Sequence, residues 1–139
     1  MAELTITVAN MRAVSGATFK EVKFGESGIE PGMLLYKDGD DNDEYKKADA
    51  NDSAKNKVDG VAWSYGGDGE QGVIVTGNGA VLNLGATLTK DTTYVLSATA
   101  GKIVPESDLT TDDYIVRIGT ASSTSQIKFQ ITNTGIQHS

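Results

Sequence analysis

A chain of 139 residues with sixteen glycines, no cysteine and one histidine has room for a single domain with a modest core. Its formal net charge of −7 argues against a nucleic-acid partner, and the missing cysteines exclude disulfides and thiolate metal sites. Aromatic content of 6 % beside abundant Gly, Thr and Val favours strands joined by tight turns, so the expected fold class is all-β.

The chain opens with Leu4, Ile6 and Val8 alternating against Thr5 and Thr7. This apolar stripe reads either as a terminal strand of its own sheet or as an arm reaching a neighbouring subunit. Glu3 stands where a secretory signal needs positive charge, and no stretch approaches the roughly 20 apolar residues that span a bilayer. Neither export nor a membrane partner is therefore expected.

Val22 and Phe24 alternate with Lys23, and Glu30-Pro31-Gly32 then forms a turn with a mechanism. Proline pre-sets φ at the second position and glycine supplies positive φ at the third, the pattern of a type II turn. Met33 to Tyr36 is a short apolar run. Asp38 to Lys57 has Tyr45 as its only large hydrophobe, so a long surface loop, outside the core and mobile, is expected there.

Val58 to Gly79 reads as a meander. Val61, Trp63 and Tyr65 share one face of a strand, the glycines around Asp68 reverse the chain, and Val73-Ile74-Val75 returns it. Further strands are expected at Tyr94 to Leu96, Lys102 to Val104, Tyr114 to Ile118 and Gln126 to Ile131. Three landmarks recur at a lag of 58 or 59 residues: Leu35-Tyr36 as Thr93-Tyr94, Gly60-Val61-Ala62 as Gly119-Thr120-Ala121, and Thr76-Gly77 as Thr134-Gly135. They suggest two related β units of about 58 residues, roughly 29–77 and 87–135, packed into a small barrel or sandwich.

No motif carries chemistry in its proper context. Gly67-x-Gly69-x-x-Gly72 matches a dinucleotide fingerprint as a string, but a strand follows it, so no helix N-terminus is present to hold a pyrophosphate. Asp38-x-Asp40-x-Asn42 starts like a calcium loop, yet Asp43 replaces the required glycine and Asp49 the closing glutamate. His138 sits at the chain end, where fraying is expected, and no Gly-x-Ser-x-Gly elbow exists. No catalytic, cofactor-binding or metal-ligating residue is assigned, and no enzyme is expected. Trp63 and Tyr65 are the only paired large aromatics, read either as core or as an exposed contact platform.

Several segments together resemble the small β-rich head decoration, or cement, proteins of tailed bacteriophages. They are Ile29-Glu30-Pro31-Gly32-Met33-Leu34-Leu35-Tyr36, Val58-Asp59-Gly60-Val61-Ala62, Gly72-Val73-Ile74-Val75-Thr76-Gly77, Tyr94-Val95-Leu96-Ser97-Ala98-Thr99-Ala100-Gly101-Lys102-Ile103 and Ile115-Val116-Arg117-Ile118-Gly119-Thr120-Ala121. The resemblance covers about residues 29–135, in order and spacing more than in any one motif, and leaves Asp38 to Lys57 unmatched. It implies a structural protein made in the host cytoplasm that binds the outer surface of an assembled head and stabilises it. Its partners would be the major capsid protein and neighbouring copies of itself, as a dimer or trimer. It further implies an extended N-terminal arm (residues 1–28 with the first strand), a body at 29–135 and a tail at 136–139. Leu4, Ile6, Val8, Trp63 and Tyr65 are the candidate capsid or subunit contacts. Two rivals are a carbohydrate- or cell-surface-binding β module, for which an exposed Trp63/Tyr65 pair would be the warrant, and a tail or baseplate component.

Overall fold

Alternating apolar side chains in some segments and continuous apolar, β-branched runs in others make strands the main element of this chain. The computed structural model describes residues 3–39, 42–76 and 78–138. Among them are eleven strands and two three-residue 3-10 turns, Val8–Asn10 and Glu106–Asp108. The strands are β1 (Met11–Ser15), β2 (Thr18–Lys23), β3 (Leu34–Asp38), β4 (Glu44–Lys47), β5 (Gly60–Ala62) and β6 (Gln71–Thr76), then β7 (Ala80–Leu84), β8 (Thr93–Leu96), β9 (Ile103–Pro105), β10 (Tyr114–Ala121) and β11 (Ile127–Gln137). They form two antiparallel sheets, ordered β1-β7-β11-β10-β8-β9 and β2-β6-β5-β3-β4. The all-β class is as the sequence implies.

The turns use their glycines as expected. Gly32 has φ +91°, and the Met33 amide donates to the Glu30 carbonyl at 3.2 Å. Gly101 has φ +78°, and the Lys102 amide donates to the Thr99 carbonyl at 3.0 Å.

The five-stranded sheet is buried on both faces. Leu34, Tyr36, Val61 and Val75 point into a large core shared with Leu82, Tyr94, Leu96, Ile118, Ile127 and Phe129 of the other sheet. Their neighbours Leu35, Ala62 and Ile74 point the other way, into a smaller core with Val22, Phe24, Ile29, Met33 and Tyr45. Two-sided burial explains why Met33 to Tyr36 is continuously apolar rather than alternating. At one corner the sheet closes on itself. Phe24 bridges Tyr45 in parallel, with the Gly25 amide donating to the Tyr45 carbonyl at 2.9 Å, so the end of β2 meets β4.

Without β1, the six-stranded sheet has the order β7-β11-β10-β8-β9, position for position that of β2-β6-β5-β3-β4. Tyr36 and Tyr94, 58 residues apart, both enter the shared core. Other landmarks of the expected repeat do not superpose by side-chain direction. Val61 is buried in that core, whereas Thr120 is exposed and pairs its hydroxyl with Thr93 at 3.3 Å. Gly77 lies outside the described residues.

Three expectations are not met as stated. Segment 38–57 is not an excursion outside the core: it carries β4, and Tyr45, Ala48 and Ala50 are all buried. Backbone bonds from Ala48 to Leu34 (2.9 Å) and from Ala50 to Ser97 (3.1 Å) hold it. Alanine needs little volume to fill a gap, so low apolar content did not prevent burial. Within residues 1–28, expected as an arm and first strand, the extended arm is not confirmed either. β1 is the edge strand beside β7, β2 pairs along its length with β6, and Val22 and Phe24 are core residues. The expected 136–139 tail begins inside β11, and His138 is tied to the body, donating to Asp113 at 2.7 Å and accepting from Asp112 at 2.8 Å.

Candidate interaction surfaces

β5 ends at Ala62, so Trp63 and Tyr65 do not continue a strand face together. The Trp63 amide still donates to the Val73 carbonyl at 2.8 Å, but the Ser64 hydroxyl then accepts from the Val73 amide at 3.0 Å. A side-chain oxygen takes a ladder position there, and the chain turns away. Trp63 is half-buried against the shared core, and Tyr65 is 63 % exposed. The aromatic partner of Trp63 is Phe19, whose ring meets it edge-on at 6.4 Å between centroids and 74° between planes. Phe19 is itself 54 % exposed on edge strand β2. The sequence reading passed over it. Its signal was a lone aromatic in register with Glu21 and Lys23 on the polar face of a short strand.

The stripe Leu4, Ile6, Val8 is half-buried on its own body. The Leu4 amide donates to Ile103 on β9 at 2.9 Å, and the Thr7 amide donates to Gly85, just beyond β7, at 2.8 Å. Residues 3–10 thus strap across from one edge of the six-stranded sheet to the other. Two glycines admit the strap. A β-carbon on Gly32 would lie 2.5 Å from Ile6 Cδ1, and one on Gly85 would lie 2.2 Å from the Thr7 carbonyl oxygen.

Where the strap passes the end of β7 it walls an open groove of about 860 Å³. Its lining includes Thr5, Thr7, Arg12, Asn83, Thr87 and Thr124. Sequence periodicity gave no sign of it, because its walls come from three separated segments.

The charged groups are arranged structurally. Lys46 pairs with Asp38 at 3.0 Å, Lys23 with the buried Glu44 at 3.3 Å, and Arg117 with Glu106 at 2.7 Å. The Tyr45 hydroxyl donates to Asp59 at 2.6 Å; burial first, and this bond second, push its phenol well above the ordinary range. Asp40 of the calcium-like motif lies outside the described residues. Among the described residues no group of three or more His, Cys, Asp or Glu is placed to hold a metal ion. No helix among them is long and apolar enough to cross a membrane. No protein-family model, curated protein or solved structure matches the chain.

Proposed function

We propose that this chain is a capsid decoration protein that binds the outside of an assembled phage head and reinforces it. What supports the reading is the position of the resembling segments. Ile29 to Tyr36, Val58 to Ala62 and Gly72 to Thr76 contain part of β3, all of β5 and most of β6, adjacent strands of one sheet. Tyr94 to Ile103 and Ile115 to Ala121 contain most of β8 and most of β10, adjacent strands of the other. The resembling segments therefore include strands of both sheets together with the turns at 29–33 and 97–102. In this reading the major capsid protein and neighbouring copies are the partners, and exposed Tyr65 with the Phe19–Trp63 pair is the contact surface. The strap carrying Leu4, Ile6 and Val8 becomes a contact only where it lifts from its seat. The two sets of five strands with one order are read as related units.

The test is to add tagged protein to heads of the phage that encodes it, depleted of the native copy, and count molecules per particle by quantitative mass spectrometry. Many copies on the head, with a higher temperature of genome release, are expected. A few copies at the tail, or none on the particle, would overturn the reading.

A second reading, a glycan- or cell-surface-binding module, draws on the exposure of Tyr65 and Phe19. It requires saccharide affinity that Tyr65→Ala abolishes, and a full glycan panel without such a hit removes it.

A further inference from the structure

We propose that the groove between the N-terminal strap and the β10–β11 turn binds a carboxylate-bearing saccharide, with Arg12 as the carboxylate anchor. The groove is separate from the aromatic surface above, and the proposal does not depend on the capsid reading. The groove is open to solvent and its lining is mostly polar.

Arg12 is the only cationic side chain lining the groove. It is exposed, and among the described residues it has neither an ion pair nor a hydrogen bond. It stands directly opposite Asn83 across the β1–β7 ladder, which places the two side chains side by side. Asn83 Oδ1 accepts from the Gly85 amide at 2.9 Å, so its NH2 group remains as a donor without a protein partner among the described residues. A planar guanidinium with an amide NH2 beside it matches a carboxylate, which only accepts and takes two parallel bonds from arginine.

The remaining polar lining suits hydroxyls. Thr5, Thr7, Thr87 and Thr124 supply hydroxyl groups, each able both to donate and to accept, as sugar hydroxyls do. Val14 lines the same groove and is 48 % exposed, offering methyl groups to the C–H face of a sugar ring.

Other anions fit less well. A phosphate is best met by several cations or a nest of backbone amides, and the groove has one cation. A polyanion would face the whole chain's net charge of −7. Glu3 lines the adjoining hollow beyond Thr5 and Thr87, so negative charge is favoured only toward the Arg12 end. One carboxylate on an otherwise neutral, hydroxyl-rich body is the chemistry that remains. With no aromatic in the lining, single-site affinity is modest.

The experiment titrates isotopically labelled full-length protein with a gluco-oligosaccharide carrying one terminal glucuronate, a neutral gluco-oligosaccharide of the same length, and inorganic phosphate, following amide resonances. The acidic oligomer should shift Arg12, Asn83, Gly85 and Gln126. Arg12→Gln should weaken its binding roughly tenfold, as for loss of a charge-assisted hydrogen-bonded pair. Arg12→Lys should recover part of this, and Tyr65→Ala should change nothing. Arg12 is exposed on an edge strand, and an unchanged spectrum outside the groove checks that each variant is folded. Absence of shifts with the acidic oligomer overturns the proposal. So do equal binding of the neutral oligomer, equal binding of phosphate, or acidic binding that survives Arg12→Gln.

Discussion

Phe24 lies so close over Gly72 that a β-carbon on the glycine would sit 2.2 Å from ring atom Cε2. Gly66 meets the same ring from another strand segment, with a β-carbon 2.2 Å from Cδ2. Phe24 is fully buried and is the residue through which β2 bridges to β4. These two glycines therefore leave space for the ring that closes the five-stranded sheet, and neither needs positive φ for it.

Gly72→Ala should destabilise the protein by about 1–3 kcal/mol, the cost of overpacking a filled core. Urea unfolding should show a lower midpoint with an unchanged slope. Phe24→Leu, harmful alone, should cost much less in the Gly72→Ala background, because the smaller side chain relieves the clash. Strictly additive effects would contradict the close approach.

The strap gives a second prediction. Gly85→Ala adds a β-carbon against the Thr7 carbonyl at a position with φ +71°, so it acts on the strap's seat. Amide hydrogen exchange should show lost protection at Leu4 and Thr7 while β10 amides stay protected. Deleting residues 2–9 should lower the melting temperature, because Leu4 packs on the shared core. A free arm would leave it unchanged.

Tyr45 makes stability fall at alkaline pH. Its phenol is raised above the ordinary value of 10.0, by burial first and then by its bond to Asp59. Below that value both folded and unfolded chains carry the neutral phenol, and the stabilisation is fully present. Above it the unfolded chain ionises while the folded chain keeps its proton, so stability declines as pH rises. Tyr36 is raised in the same direction, chiefly by burial and then by Asp38, and adds to the slope. Urea midpoints measured upward from neutral pH should drop more steeply for the native chain than for Tyr45→Phe. At neutral pH that variant should lose about 1 kcal/mol with its hydrogen bond.

Trp63 and Tyr65 should part company on substitution. Trp63→Ala removes a ring packed on the shared core and on Phe19, and should cost about 3 kcal/mol. Tyr65→Ala touches an exposed side chain and should stay within about 0.5 kcal/mol. Chemical denaturation of the two variants checks both. Trp63 is the only tryptophan, so its fluorescence reports directly on this corner in the native chain and in Tyr65→Ala.

Local rules were legible in the chain itself. Alternation at Ile127, Phe129 and Ile131 marks β11, Pro31-Gly32 sets a type II turn, and the β-branched run at Val73 to Val75 marks β6. These depend on φ preferences and side-chain period, which act between neighbours in sequence. Such rules determine the all-β class and most strand positions. Tertiary structure alone decided where Leu4, Ile6 and Val8 go, because a stripe of alternating apolar residues states that it must be covered and not by what. The burial of Ala48 and Ala50, the ring of Phe24 over Gly66 and Gly72, and the convergence of Arg12, Asn83 and Thr124 on one groove are of the same kind. Each joins segments tens of residues apart, and such contacts arise from chain closure and volume filling rather than from any local pattern.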